Sequence, residues 1–456
     1  MADLESLGRA ELMALIVEQQ RLIEQLRQEV EELRRGGKRQ AAPFSRNKPV
    51  EKPKRPGRKP GEGIFRRREA PSEAAAAVVM ASLPAGCPHC GGELEQEREE
   101  VVTTTELPAN PQPVITAWRV PVCRCRKCGK AVRGTAPGLV ADQRGATAHR
   151  VGPRLMAAAH ALHYGIGIPV RKVPGVIEEL TGVRITQSAL TQDALRRAAG
   201  AVGAAYAELR VGVCQAPVVH TDDTGWRLGG QSAFLMGFDT GEATVYQIRP
   251  QHRNEEVREL IPADYAGVMV SDRGKSYDAE ELAGVAQQKC LAHLLRNVSE
   301  VLEGKQGRAR QFGETLKTLL REGLSIWHAR RDLSPEEFLC RAGKLDERLT
   351  HHLRCRMLRD DDNQRLLNGI GWQHDLGHLL RFLQTAGVEP TNNRAERILR
   401  PAVIARKISH CSKNHRGAHA FAAFLSITQT IRKKAQETIA QGLLTVFARP
   451  LTAESR

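Results

Sequence analysis

Aromatic residues are scarce in this chain, 4% of its length. That scarcity suggests a core built from Leu, Val and Ala-rich helices. No stretch approaches the roughly 18 to 20 uninterrupted apolar residues that a membrane span requires. The opening MADLESLGRAEL lacks the basic and apolar regions of a secretory signal, so the expected location is the cytoplasm, with no membrane partner. Acidic charge is in deficit: 52 Asp and Glu face 68 Lys and Arg, a formal net charge of +16. That imbalance points to a polyanionic partner, most commonly nucleic acid, without choosing between DNA, RNA and ribosome. A disulfide framework is also missing. Cys87, Cys90, Cys123, Cys125 and Cys128 crowd one short region and Cys214, Cys290, Cys340, Cys355 and Cys411 are scattered, which suits a reducing compartment with one metal site.

The composition that remains, 41% hydrophobic and 26% charged over 456 residues, is that of a globular protein too long for one ordinary core. One large domain of about 200 residues or more, with smaller modules, is expected. Residues 1–36 form the first module. Ile16, Ile23 and Val30 occupy one heptad position and Leu12, Gln19, Leu26 and Leu33 the other, which favours a parallel two-stranded coiled coil and hence at least a dimer. A single amphipathic helix packed on its own protein would show the same pattern. Residues 37–71 follow as a basic, Pro-rich arm. Between residues 34 and 68 fourteen Lys and Arg stand against Glu51 and Glu62, and KRPGRKPG suits phosphates or an A·T-rich minor groove.

Residues 72–140 carry the cysteine cluster, Cys87-Pro-His-Cys90-Gly-Gly and Cys125-Arg-Lys-Cys128-Gly, with thirty-four residues between Cys90 and Cys125. Two turns that each present two thiolates can complete a tetrahedral Zn²⁺ site, and the β-prone run between them fits a zinc ribbon. Cys123 competes with Cys125 as a ligand, and Cys125 is favoured because it restores the two-residue gap. Residues 141–212 are helical in pattern. A turn at Gly182, with Thr186 or Ser188 available as a cap, resembles a helix-turn-helix, though a plain helical connector fits equally.

After Pro217 the period becomes that of strands: APVVH, SAFLMGFD and ATVYQIRP, then the helical NEEVRELI, the apolar YAGVMVSD, and QQKCLAHLLRNVSEVLE passing into a helix. Strand, strand, strand, helix, strand, helix is the order of a ribonuclease-H-like α/β core. The overall expectation is thus a multidomain α+β protein. Its catalytic domain spans 213–430, a helical insertion occupies about 300–385, and a helical tail covers 431–456. Asp222 is expected just past the end of the first strand and Asp272 just past the fourth, which would bring two carboxylates to one place. Paired carboxylates repel one another unless a cation intervenes, so the arrangement suggests Mg²⁺. A third carboxylate from a helix would allow two ions about 3.5 to 4 Å apart to serve phosphodiester displacement. The candidate is Glu396 in PTNNRAERILRP, which could also merely pair with Arg400 four residues on. His220 and His293 fit satisfied core histidines as well as site residues.

HTDDTGWRLGG, VSDRGKSYD, KCLAHLLRN and TNNRAERILRPAVIARKIS resemble, in that order, the core motifs of the DDE transposases of the insertion sequence 66 family. The leucine-rich helix, basic segment, CPHCGG and helix-turn-helix-like stretch resemble that family's parts in the same order. The resemblance implies a DNA transposase with catalytic Asp222, Asp272 and Glu396, Asn392 and Asn393 leading into the last, and a further motif at Cys290, His293 and Arg296. It implies Mg²⁺ or Mn²⁺ at those three carboxylates, Zn²⁺ at Cys87, Cys90, Cys125 and Cys128, and as partners transposon-end and target DNA, a second copy, and accessory proteins of the same element. Two departures stand out. Asp223 replaces the Glu that usually follows the first Asp, leaving open which of Asp222 and Asp223 faces the metal. Gly274 follows Asp272 and Arg273 where a Tyr is commoner.

Overall fold

The structure, a computed structural model, describes residues 113–136, 150–354 and 357–449, together with Gly8, Met13, 18–20, Ile23, Ala85 and 88–93. Met13, 18–20 and Ile23 are helical; the rest of the expected coiled coil, the basic arm, Cys87 and residues 450–456 lie outside the described residues. The architecture is a mixed α and β one. A two-stranded hairpin pairs β1 (Val122–Arg124) with β2 (Ala131–Arg133). A five-stranded mixed sheet follows, flanked by many helices.

The sheet begins with a meander, β3 (Val218–Leu228), β4 (Gln231–Asp239) and β5 (Thr244–Arg249). Gly229 and Gly230, at φ of 58° and 85°, make the tight β3–β4 connection, a pair of positive values that glycine adopts without steric cost. Helix α5 (Asn254–Arg258) leads to β6 (Val268–Ser271), and a loop leads to β7 (Ala286–Lys289). The strand order is β5-β4-β3-β6-β7, with β3, β4 and β5 antiparallel and β3, β6 and β7 parallel. Side chains alternate between two cores. Met236, Phe238, Val245 and Met269 enter one, while Leu235, Tyr246 and Ile248 enter another beneath Leu399, Ala402 and Leu425.

Four helices precede the sheet: α1 (Pro153–His160), which runs into a π-helical turn at Ala161–Ile166, α2 (Val173–Thr181), α3 (Gln187–Ala198) and α4 (Ala201–Cys214). The stretch from Thr186 to Leu209 reads as one helix by pattern, but it breaks at Ala199 and Gly200, Gly200 taking φ −130° and ψ −123°. Helices α6 (Leu291–Leu302), α7 (Gly307–Ala329), α8 (Pro335–Leu353), α9 (Asp361–Asp375) and α10 (Arg381–Gln384) follow β7. Their Leu-rich faces share a separate core with Val268 and Val270.

The last helices are α11 (Asn393–Ser409), α12 (His415–Lys434) and α13 (Ile439–Phe447). Helix α12 covers the outer edge of β5. Ser426 Oγ accepts from the Tyr246 N–H at 2.8 Å and Thr430 Oγ1 from the Thr244 N–H at 3.1 Å, so two hydroxyls one turn apart stand in for a neighbouring strand. No helix among the described residues is long and apolar enough to cross a membrane.

Candidate catalytic site

Strand β3 pairs with β6 only from Val218 to His220, whereas its antiparallel pairing with β4 continues to Leu228. Asp222 therefore lies inside β3, not past its end as the short apolar run APVVH suggested. The polar residues after His220 stay in strand conformation because the hairpin through Gly229 and Gly230 holds them against β4. On the parallel side His220 lies opposite Val270 and β6 ends at Ser271, so that two residues on Asp222 and Asp272 come level.

Asp222 Oδ1 accepts the Asp223 N–H at 2.9 Å, and Asp272 Oδ1 accepts the Gly274 N–H at the same distance. The second oxygen of each has no hydrogen-bond donor among the described residues. Burial, and then repulsion from Asp272 and Asp223, push the Asp222 carboxyl up to about 7. Asp223 projects to the other face of the strand, where His252 Nδ1 approaches its Oδ1 at 3.1 Å. Gly274 has a steric reason, since a Cβ there would stand 3.1 Å from Asp272 Oδ1 and 3.2 Å from the Tyr277 ring.

Glu396 sits in the first turn of α11. Buried Asn392 ties the start of that helix to the sheet, donating from Nδ2 to the Thr221 carbonyl at 2.8 Å and from its backbone N–H to Cys290 Sγ at 3.1 Å. Further along, Tyr246 Oη donates to the Ile398 carbonyl at 2.6 Å and Arg406 reaches Thr224 Oγ1 at 2.9 Å. Gly237, the antiparallel partner of Asp222, lets α11 lie close, because a Cβ there would be 2.9 Å from Ile398 Cδ1. The Glu396 side chain is 39% exposed, and its Oε1 lies 3.7 Å from His293 Nε2.

His293, in the first turn of α6, is partly exposed and so is not the core histidine that the sequence also allowed. Its interaction with Cys290 raises its pKa against the effect of burial. Burial pushes the Cys290 thiol up, but bonds with His293 and the Asn392 N–H bring it below its ordinary value. His220 is a core residue: neither ring nitrogen makes a well-aligned hydrogen bond among the described residues, Asn392 is its polar neighbour, and burial with the Arg394 charge holds it down at about 4.

Asp222 and Asp272 are thus brought together, while Glu396 is linked to the pair through His293. Among the described residues no three His, Cys, Asp or Glu side chains are gathered tightly enough to hold an ion as they stand. The donor set nonetheless fits a hard divalent cation: half-buried, mutually repelling carboxylates with oxygens to spare. The cysteine region is described in part. Cys125 and Cys128 flank the tight turn between β1 and β2, closed by Gly129 N–H to the Cys125 carbonyl at 2.9 Å, while Cys123 lies within β1. Backbone N–H groups of Cys128 and Lys127 lower the Cys125 pKa, favouring the thiolate that a metal needs.

Sequence reading missed His252, which engages Asp223 from a distant loop, and Lys289, which lies wholly buried behind Asp272 and pairs with Asp278 at 2.7 Å. Neither carries a local signal. A Lys closing the short strand AQQK is unusual, but only the fold supplies its partner.

A comparison with curated proteins finds no match. The family model described as transposase IS66 family matches residues 148–420, more than half of the chain. The chain therefore belongs to the IS66 transposase family.

Proposed function

We propose that this transposase cleaves at transposon ends and joins them to target DNA by metal-dependent phosphoryl transfer, with Asp222, Asp272 and Glu396 as the catalytic residues. The observation that carries the reading is the meeting of Asp222 and Asp272 at adjacent parallel strands, with the Asp222 carboxyl pushed up to about 7. Three antiparallel strands followed by two parallel ones, in the order β5-β4-β3-β6-β7, support a ribonuclease-H-like core. In this reading α7 to α10 are its helical insertion.

Asp222, Asp272 and Glu396 are the residues that would hold Mg²⁺ or Mn²⁺, the first two from the sheet and the third from the start of α11. Such ions, when bound, supply charge neutralisation and polarisation of the scissile phosphodiester. Asn392 sets the position of α11, and His293 steadies the Glu396 carboxylate. The exposed Arg397 and Arg400 on the same helix suit flanking phosphates. In cleavage a water oxygen attacks phosphorus in line, the bond to the 3′ oxygen breaks, and that oxygen takes a proton. In joining, the freed 3′-hydroxyl oxygen attacks a target phosphorus, displaces the target's own 3′ oxygen and gives its proton to solvent. Both nucleophiles are hydroxyl oxygens, so one site serves both steps. The N-terminal modules recognise the ends in this reading, with Zn²⁺ held by Cys87, Cys90, Cys125 and Cys128. A coiled-coil dimer brings two ends together.

The test is cleavage of duplexes carrying the element's ends, with Mg²⁺ or Mn²⁺, by the full chain and by Asp222→Asn, Asp272→Asn and Glu396→Gln. Cleavage should fall at least about 1,000-fold in each variant, as expected when a group stabilising the transition state is lost, while end binding persists. Undiminished cleavage in any of them would remove that residue from the site.

A further inference from the structure

Helix α3 is divided along its length. Its second half is fixed to the body of the protein. Asp193, buried, receives Arg197 Nε at 2.7 Å and lies 2.9 Å from His160 Nε2 on α1. His160 packs at a tilt against Phe424 of α12, ring centroids 4.8 Å apart, and the Arg197 guanidinium lies 3.6 Å over the Phe447 ring of α13.

The first half faces solvent. Gln187, Ser188, Ala189, Thr191 and Gln192 are all exposed, and only Leu190 among them turns inward. It joins Met156, Ala159, Val173 and Ile177 in a small core of α1, α2 and α3. Gly182, at φ 68°, ends α2, and Thr186 Oγ1 caps α3 by accepting the Ala189 N–H at 3.1 Å. The side chains of Gln187, Ser188 and Gln192 make no hydrogen bond within the described residues, whereas Thr191 Oγ1 donates to the Gln187 carbonyl at 3.0 Å.

From this face we infer that residues 187–192 enter the major groove of duplex DNA and read base edges, with Gln187 and Gln192 as the principal specificity determinants. A carboxamide offers a donor and an acceptor side by side and can pair with adenine N6 and N7, a hydroxyl serves any base, and the small Ala189 permits close approach or contact with a thymine methyl. The exposed cations of the three-helix unit suit phosphates: Arg154, Arg171 and Lys172 have no acidic partner among the described residues. Nearby carboxylates are Glu178 and Glu179 on α2, of which Glu178 is paired with Arg184 at 2.7 Å. Unpaired cations on a unit that also carries an uncharged hydrogen-bonding face complement a polyanion whose edges are read by hydrogen bonds. Because the other half of α3 is clamped to α1, α12 and α13, DNA read here is held in a fixed relation to the sheet that carries Asp222.

The inference rests on the transposase reading only in taking DNA as the ligand, and its test is binding without catalysis. The full-length protein is used to select from a pool of randomised 30-bp duplexes. The wild type, Gln187→Ala, Gln192→Ala and the double variant Arg171→Ala/Lys172→Ala are then titrated against the enriched and unselected duplexes. Each Gln variant should lose about 10- to 100-fold in preference at one or two base positions and bind unselected DNA as before. The Arg171/Lys172 variant should weaken binding to every duplex and lower the slope of log affinity against log salt by about 2. Three outcomes would overturn the proposal: no sequence enriched by the wild type, an unchanged preference in both Gln variants, or a changed sedimentation coefficient in those variants with DNA preference intact, which would mark the face as a contact between copies. Melting curves control for folding, since the replaced side chains are exposed. Sequence preference without end cleavage would leave this inference standing and sink the catalytic one.

Discussion

Lys289 has no surface exposure at all, yet it is a cation. Its Nζ lies 2.7 Å from Asp278 Oδ1 and 2.7 Å from Gln287 Oε1, so its charge is matched inside the fold, although burial still lowers its pKa. Removing one partner of such a pair strands the other, at a cost of about 3 to 5 kcal/mol. Lys289→Met should therefore lower stability by roughly 3 kcal/mol in urea unfolding. Arg310→Ala, which breaks the exposed pair with Glu314, should change it by no more than about 0.5 kcal/mol. Equal effects would show that burial does not govern these pairs. At this scale the sequence offered the three carboxylates as candidates, because the order of motifs is a local feature. It offered neither Lys289 with Asp278 nor His252 with Asp223, because those partners are set by how β6, β7 and the loops assemble.

Helices α1, α3, α12 and α13 meet around Asp193. Burial alone would raise its pKa, but bonding to His160, Arg197 and Arg196 holds the carboxyl well below the usual range. A depressed folded-state value means the unfolded chain binds the proton first as pH falls. The stabilisation is then complete above the ordinary carboxylate pKa of about 4 and lost as pH drops further toward the folded value. The melting temperature of the wild type should exceed that of Asp193→Asn by a margin that is constant from pH 7 to about pH 5 and shrinks below about pH 4. A margin that widens on acidification would contradict the assignment. The break between α3 and α4 makes a second prediction: a Cβ on Gly203 would stand 2.3 Å from the Ala198 carbonyl oxygen. Gly203→Ala should cost about 1 to 3 kcal/mol, the overpacking penalty, despite its better helix propensity, as calorimetry can measure. The sequence made the meander, the Thr186 cap and the Gly182 turn legible, because each depends on residues a few positions apart. It did not reveal the break at Gly200, since Ala-rich helical pattern continues on both sides. Nor did it reveal that Asp222 stays within β3, since that depends on pairing across the hairpin.

The whole molecule carries +16, and its partner in this account is a polyanion. If end binding involves about 6 to 10 phosphate contacts, affinity should fall roughly 10³- to 10⁵-fold between 50 and 200 mM salt in a filter-binding titration. Weak salt dependence would argue against DNA as the partner. Architecture at this scale was legible as mixed α and β with a strand-rich segment after Pro217, because periodicity changes there. Legible too was the family, because several separate motifs keep their order. Less legible was the sharing of cores across segments: α4 and α13 pack in one core with β3, β4 and β5 although over two hundred residues separate them. The most direct measurement of the central claim is strand transfer of a labelled transposon-end duplex with Mg²⁺ or Mn²⁺, the wild type beside Asp222→Ala, Asp272→Ala and Glu396→Ala. The account predicts joined product from the wild type alone, with end binding retained by all four proteins. Joining that survives loss of any of the three carboxylates, or cleavage by the wild type that never yields joined product, would contradict it.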